Sequence, residues 1–330
     1  DRRRILPPLP GGSALVRAAE LSMSFLHPIS AGCAMAQRKA DVIFIHGLGG
    51  DAFGTWRHGV EDSTSWPHWL GQEFPHVGVW SLGHAASPTK WLRLLGWLSA
   101  RWRDHGFTMP LPDRANQVLD LMVQHGVGDR PLMFVCHSLG GLLAKQILRT
   151  ARDAIADPGK HRVFENARAV LFVATPHTGA ELASMVNRFR TVCRSTVTIE
   201  DLRLHDPHLR NLYDWYRNHC PQTRIATASY YETRPVTSFT IVNPTSAHPG
   251  VGADPVPLDE DHISIAKPPT PDAQVCGAAR RLLHNHVLNP RPPAPLASQA
   301  SLPPAAPPEV TVKIVVDSTA RPSDTGAPCQ

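Results

Sequence analysis

A chain of 330 residues with 42% hydrophobic residues can bury one large core or two modest ones, which excludes an extended polar polymer and a mini-scaffold alike. The formal net charge of +5 is mild, and no basic cluster is interleaved with aromatics, which sets nucleic-acid partners aside. Six cysteines without a C-x-x-C pair and 18 scattered histidines without ligand spacing exclude a disulfide-stapled scaffold and a clustered metal site.

From these, no cofactor and no metal are expected, and reduced thiols favour an intracellular or membrane-associated setting over a secreted one. Residues 1–38 carry Arg2, Arg3 and Arg4 and a semi-apolar stretch from Ala14 to Ala36. Arg17 and Glu20 interrupt it, which argues against a signal peptide ending near Gly32-Cys33 and predicts a disordered or loosely packed extension. No stretch reaches the length of a transmembrane helix.

A domain over 39–287 follows. Val42-Ile43-Phe44-Ile45 predicts a buried strand, and His46-Gly47-Leu48-Gly49-Gly50-Asp51 a glycine-rich loop after it. That loop lacks the Gly-Lys-Ser/Thr ending of a phosphate cradle. A helix over Trp66–Glu73 leads to a strand over Val77–Leu82. Residues 85–108 then read as a helical insertion striped with Trp91, Trp97 and Trp102, flanked by Arg93, Arg101 and Arg103. Core packing, an apolar cap over a substrate and contact with a membrane surface all fit that stripe. A helix over Leu111–Gly126, entered through an Asp113 cap, follows it.

The organising stretch is Pro131 to Gly141, P-L-M-F-V-C-H-S-L-G-G. A short apolar run ends at His137-Ser138-Leu139-Gly140-Gly141, and helical periodicity resumes at Leu142. Strand, sharp turn, helix is the nucleophile elbow, with Ser138 at its apex. A serine hydroxyl attacks only when a base takes its proton, so it must stand clear of the backbone. Cys136 occupies the position two before the serine that usually holds glycine. With an elbow downstream, the His46-Gly47-Leu48 loop fits half of an oxyanion hole, whose amide donors are assigned to Leu48 and Leu139.

Further strands are expected at Ala169–Ala174, Thr223–Tyr231 (with Glu232 at its end) and Phe239–Val242, with two or three helices over Glu181–Cys220 and a closing helix over Val275–Val287. The fold class is therefore α/β, an α/β-hydrolase fold with a mostly parallel sheet of about six core strands and a helical cap-like insertion. Residues 288–308 are rich in proline and alanine and predict an extended linker. Residues 309–330 hold one alternating segment, an isolated strand or the start of a further module.

The usual chain order of nucleophile, acid and histidine places the acid after the second strand past the elbow and the histidine after the third. Counting gives Glu232 and His262, with His248 the weaker histidine and Asp254 a rival acid to Glu232. In this scheme His262 takes the Ser138 proton, and Glu232 holds the imidazole's tautomer.

Together F-I-H-G-L-G-G-D with T-W (44–56), C-H-S-L-G-G-L (136–142), L-F-V-A-T-P-H-T-G-A (171–180), Y-Y-E-T (230–233) and P-L-D-E-D-H-I-S-I-A-K-P (257–268) resemble one branch of the α/β-hydrolases. It is the branch of serine-active-site-containing proteins, GPI inositol-deacylase-like lipases and the hydrolase modules of larger multidomain proteins. The resemblance implies a Ser138–His262–Glu232 triad and ester hydrolysis or acyl transfer on an ester or lipid substrate. It also suits membrane-surface contact and further domains in a longer chain. His46, Gly47, Trp91, Trp97 and His177 are the expected substrate-binding residues. The contrasting reading is a catalytically silent hydrolase-fold interaction or sensor module, since fold alone confers no activity.

Overall fold

The computed structural model describes residues 24–84, 109–178, 206–236 and 238–290. The predicted cap-like insertion (85–108), residues 179–205 and the chain from 291 onward lie outside them. Among the described residues, seven strands form one sheet: β1 (Phe25–Pro28), β2 (Ala40–Ile45), β3 (Val77–Gly83), β4 (Leu132–His137), β5 (Ala167–Val173), β6 (Ala226–Glu232) and β7 (Val256–Leu258). They lie in the order β1-β3-β2-β4-β5-β6-β7, with β1 antiparallel to β3 and all other pairs parallel. Six helices accompany them: α1 (Trp66–Glu73), α2 (Leu111–Gln124), α3 (Gly140–Asp153), α4 (Pro158–Asn166), α5 (Asp206–His219) and α6 (Gln274–Leu282).

The inner strands are mostly apolar, β2 over Val42–Ile45 and β4 over Leu132–Cys136 without a break, because helices cover both faces. Alternate residues divide between two cores, as the period of two requires. Ile43, Ile45, Phe134, Cys136, Val170 and Phe172 pack with Leu119 of α2, Ile147 of α3, Val163 of α4 and Tyr216 of α5. Their neighbours Val42, Phe44, Met133, Val135 and Leu171 pack with Trp66 and Leu70 of α1 and Val275, Ala279 and Leu282 of α6. Each such side chain contributes about 1.5–3 kcal/mol on burial. This is the α/β-hydrolase fold.

The layout also positions a site. From β2 the chain steps outward to β3, then returns to place β4 on the other side of β2 and continues to β7. The connections after β2 and β4 therefore leave the sheet side by side but in opposite senses, which opens a crevice beyond their carboxyl ends.

Four expectations are corrected. Residues 24–38 are not a loose extension: β1 completes the sheet edge and Cys33 is buried. Arg38, also buried, donates from Nε to Asp41 Oδ1 at 2.8 Å and from Nη2 to the His125 and Gly126 carbonyls. Phe239–Val242 is not a core strand; an isolated bridge joins Val236 to Phe239, and the last strand is β7. Helix α2 is entered at Pro110, with Asp113 in its first turn instead of capping it. The closing helix matches its expected span, running through α6 into a π-turn at Leu283–Leu288, so Leu288 ends an ordered turn instead of opening a linker. Among the described residues, no helix is long and apolar enough to cross a membrane.

Candidate active site

Strand β4 lies at the centre of the sheet and delivers Ser138 at its carboxyl end. Ser138 has φ 52°, a left-handed conformation that costs an L-residue roughly 1–2 kcal/mol. Close packing holds it there. The Ser138 N–H donates to the Val173 carbonyl of the neighbouring strand at 3.0 Å. A Cβ on Gly140 would collide with the Ile45 and His46 backbone, and a Cβ on Gly47 would fall 2.5 Å from Ser138 Cβ and 2.9 Å from the His137 carbonyl oxygen. The loop after β2 and the turn after β4 thus touch backbone to backbone, and only glycine permits it. Cys136 needs no such smallness: its side chain points into the core beneath α3, where burial pushes its thiol well above the ordinary range.

From the elbow, buried polar contacts run outward. Ser138 Oγ lies 3.1 Å from His262 Nε2, and His262 Nδ1 lies 3.1 Å from Glu232 Oε1. All three side chains are at most 1% exposed. Glu232 ends β6, and His262 follows β7 by four residues. Glu232 Oε1 also accepts the backbone N–H of Ile241 at 3.1 Å and of Val242 at 2.7 Å. Here is the reason that Phe239–Val242 is no strand: its amides serve the carboxylate instead of a neighbouring strand. With Nδ1–H donating to the carboxylate, Nε2 is left to accept from the serine hydroxyl.

Asp254, the rival acid, is engaged elsewhere, as are Asp259 and Asp261 closer in sequence to His262. Asp254 is fully exposed and 3.7 Å from His248, Asp259 accepts two bonds from Arg234 at 2.7 Å, and Asp261 accepts the amides of Ile263 and Ser264. That last pair, with Asp261 N–H donating to Ser264 Oγ, makes the compact turn from which His262 projects.

Of the expected oxyanion donors, Leu139 begins the elbow helix and Leu48 follows Gly47 in the loop packed on Ser138. Neither amide donates to another backbone group among the described residues. Both leucines are partly buried against an apolar cluster that holds Leu142, Ile241 and Val242. The amino end of α3 adds a partial positive charge where an oxyanion would form.

The expected substrate-binding residues fare differently. Gly47 lies against the serine. His46 is spent internally: Nδ1–H donates to the Gly47 carbonyl at 3.0 Å, and Nε2 accepts the His84 amide at 3.4 Å. His84 stacks on it at 4.2 Å, and burial lowers the pKa of both rings. His177 is corrected to an interior residue. It is 2% exposed, edge-on to Phe172 at 4.5 Å, with its pKa driven well down by burial. Trp91 and Trp97 lie outside the described residues. Among these residues no group of His, Cys, Asp and Glu could hold a metal ion.

Two groups escaped the sequence reading. His137, next to Ser138, donates from Nε2 to the His262 carbonyl at 2.8 Å. Ala174 shares the serine's left-handed φ, at 50°, where β5 turns away from the site. The C-H-S spacing marked the first as a neighbour of the serine but could not show its partner 125 residues on; nothing in the sequence marked the second.

No protein-family model matches the chain. It is 31% identical over 269 residues to Protein SERAC1 from Mus musculus, an alignment covering 75% of this chain and 39% of that protein. Against Protein SERAC1 from Homo sapiens the identity is 31% over 255 residues, covering 71% and 37%. The chain therefore spans less than half the length of these curated relatives. Among solved structures it is similar to Bacillus licheniformis lipase BlEst2 in mature form, at 15% identity and TM-score 0.46, covering 79% of this chain and 96% of that one.

Proposed function

We propose that this chain is a serine hydrolase of carboxylic esters, working through an acyl-enzyme on Ser138. The observation that carries the reading is the buried chain of two 3.1 Å contacts linking Ser138, His262 and Glu232. As Ser138 Oγ attacks the ester carbonyl, its proton passes to His262 Nε2. The resulting imidazolium is stabilised by Glu232, which keeps its own charge. The tetrahedral oxyanion is received by the Leu48 and Leu139 amides, a kind of donor worth roughly 10²–10³-fold in rate apiece. His262 then gives the proton to the departing alkoxide, leaving the acyl-serine. A water deprotonated by the same ring hydrolyses it and regenerates the hydroxyl.

The apolar surroundings formed by Leu48, Leu139, Leu142 and Ile241 suit an ester with a hydrophobic acyl portion, in keeping with the lipase-like resemblance of the motifs. Membrane-surface contact belongs to the same proposal, as a source of lipid substrate. A fluorophosphonate probe should label the protein, and Ser138→Ala should abolish both labelling and hydrolysis of p-nitrophenyl esters. Labelling that survives the substitution rejects the reading. The contrasting reading, a silent module within a longer protein, draws on the 39% share of its relative that the chain spans. It is favoured if the intact protein neither labels nor turns over esters of any chain length.

A further inference from the structure

We propose that His137 is the positioning residue for the catalytic base: its Nε2–H grips the main-chain carbonyl of His262 and so sets the base's distance from the adjacent Ser138. The inference rests on the reading of Ser138, His262 and Glu232 as a triad.

The geometry has three parts. First, the grip is direct, a 2.8 Å buried hydrogen bond between residues 125 apart in sequence. Because a carbonyl can only accept, Nε2 must carry the hydrogen, which fixes the tautomer of His137. Second, His137 is the last residue of the central strand and the immediate neighbour of the nucleophile. One dipeptide therefore holds both the attacking oxygen and the backbone from which the base projects, and sheet movements carry the two together. Third, the ring is itself held, edge-on to Trp56 at 6.4 Å and tilted against the His262 ring at 5.0 Å.

The segment that carries His262 is also tied to the end of β6, where the Arg234 amide donates to the Glu260 carbonyl and the Thr233 amide to the Leu258 carbonyl, both at 3.0 Å; the His137 bond ties the His262 backbone to β4 itself. The hydrogen bonds of Asp261 and Ser264 are local to the turn; they shape it without anchoring it to β4. Glu232 holds the ring through Nδ1, at the end of β6 and not of β4. A carbonyl fixed on one side and a ring nitrogen fixed on the other determine where Nε2 points.

The chemistry also requires His137 to stay uncharged. The mechanism makes His262 an imidazolium, and a second cation 5.0 Å away would oppose it. Burial first, and then the neighbouring His262, hold the His137 pKa at about 3, so it remains a neutral donor throughout the cycle.

Methionine and glutamine have the same length and differ here in the N–H donor, so His137→Met and His137→Gln isolate the bond from the packing. His137→Met should lose roughly 10²-fold in kcat with KM within about twofold, and in the rate of fluorophosphonate labelling, while unfolding as cooperatively as the wild type. His137→Gln should recover to within about tenfold of wild type. His137→Phe, which keeps the ring but not the donor, should match methionine and serves as the donor-free variant if methionine does not fold. Equal impairment of glutamine and the donor-free variant overturns the inference. So does a donor-free variant with wild-type kcat, or one whose loss falls on KM alone. If Ser138→Ala is inert while all His137 variants run at the wild-type rate, only the positioning role fails. If Ser138→Ala keeps the wild-type rate, the triad reading fails as well.

Discussion

Two buried polar regions flank the elbow helix, and they are built on opposite terms. On the sheet-end side, the Ser138 hydroxyl, both nitrogens of His262, and Glu232 Oε1 all have partners at 3.1 Å or less, while Glu232 Oε2 is buried without a hydrogen-bond partner among the described residues. On the other side, Lys145 Nζ, Thr175 Oγ1 and both ring nitrogens of His177 are buried without a hydrogen-bond partner among the described residues. A buried polar group without a partner costs about 1–3 kcal/mol, so native chains keep few of them. A partnered network can be read as a device for chemistry. The other cluster lowers stability, and the two should respond differently to substitution.

The largest effect is expected where the partnered network is cut at its acid. Glu232→Gln keeps the shape of the side chain and loses its charge, so neither the Nδ1–H tautomer nor the imidazolium is favoured. The kcat for ester hydrolysis should fall roughly 10²–10⁴-fold with KM little changed. Steady-state kinetics on a p-nitrophenyl ester check it. Asp254→Asn is the matching control, and because Asp254 is fully exposed its rate should stay within about twofold of wild type. A loss at Asp254 as large as that at Glu232 would reverse the assignment of the acid.

A smaller effect is expected at the contact between the two loops. Gly47→Ala places a methyl group against Ser138 Cβ and the His137 carbonyl, neither of which can swing away. The loop bearing the Leu48 amide must retreat, and kcat should drop about 10²-fold while the fold survives. Circular dichroism beside a kinetic assay separates this from unfolding.

How far the sequence foretold this arrangement depends on how local each signal is. Strand β4, its elbow and the closing helix announce themselves through unbroken apolar runs or helical periodicity within a dozen residues. His262 stands in a short polar turn just ahead of that helix, and Glu232 at the end of an aromatic strand; both follow from counting strands. The count reached two residues that lie 3.1 Å from each other, one of them 3.1 Å from Ser138, but it did so by a wrong strand. Phe239–Val242 has the β-branched look of a strand, but its amides are claimed by a carboxylate that is distant in sequence. The strand that fills the place, Val-Pro-Leu at 256–258, has three residues, one of them without an N–H, and no periodicity to detect. Strand β1 was hidden for the same reason: Phe-Leu-His-Pro is short, and its partner Trp80–Gly83 lies more than fifty residues on. Helix α4 carries only Val163 as a buried residue, too little apolar stripe to show beside its Asp157 cap. Packing among distant side chains, such as the grip of His137 on His262, leaves no local trace.

The unpartnered cluster supplies the last test, one of stability with activity untouched. Lys145 lies wholly inside α3's packing, and its Nζ lies over three ring faces: Tyr216 at 4.6 Å, Tyr213 at 5.3 Å and Phe172 at 5.5 Å. Those rings return part of the cost of burying a cation, each by about 0.5–2 kcal/mol. Burial still lowers the lysine's pKa from 10.5 to about 7. The unfolded chain then holds this proton up to 10.5, and the folded chain only up to about 7. Between those values the unfolded state binds more protons, so stability should rise with pH across that window. The contribution is complete above 10.5 and lost as pH falls through about 7. Lys145→Met fills the same space without an amine. It should stabilise the fold at pH 7 by about 1–4 kcal/mol, flatten the rise toward alkaline pH, and leave ester kinetics within about twofold. Urea unfolding at pH 7, 8.5 and 10, on both proteins, reads this directly. An equal slope in the two would mean that Lys145 titrates in the folded protein as it does in water, and that the aromatic cage offsets the whole cost of burying its charge.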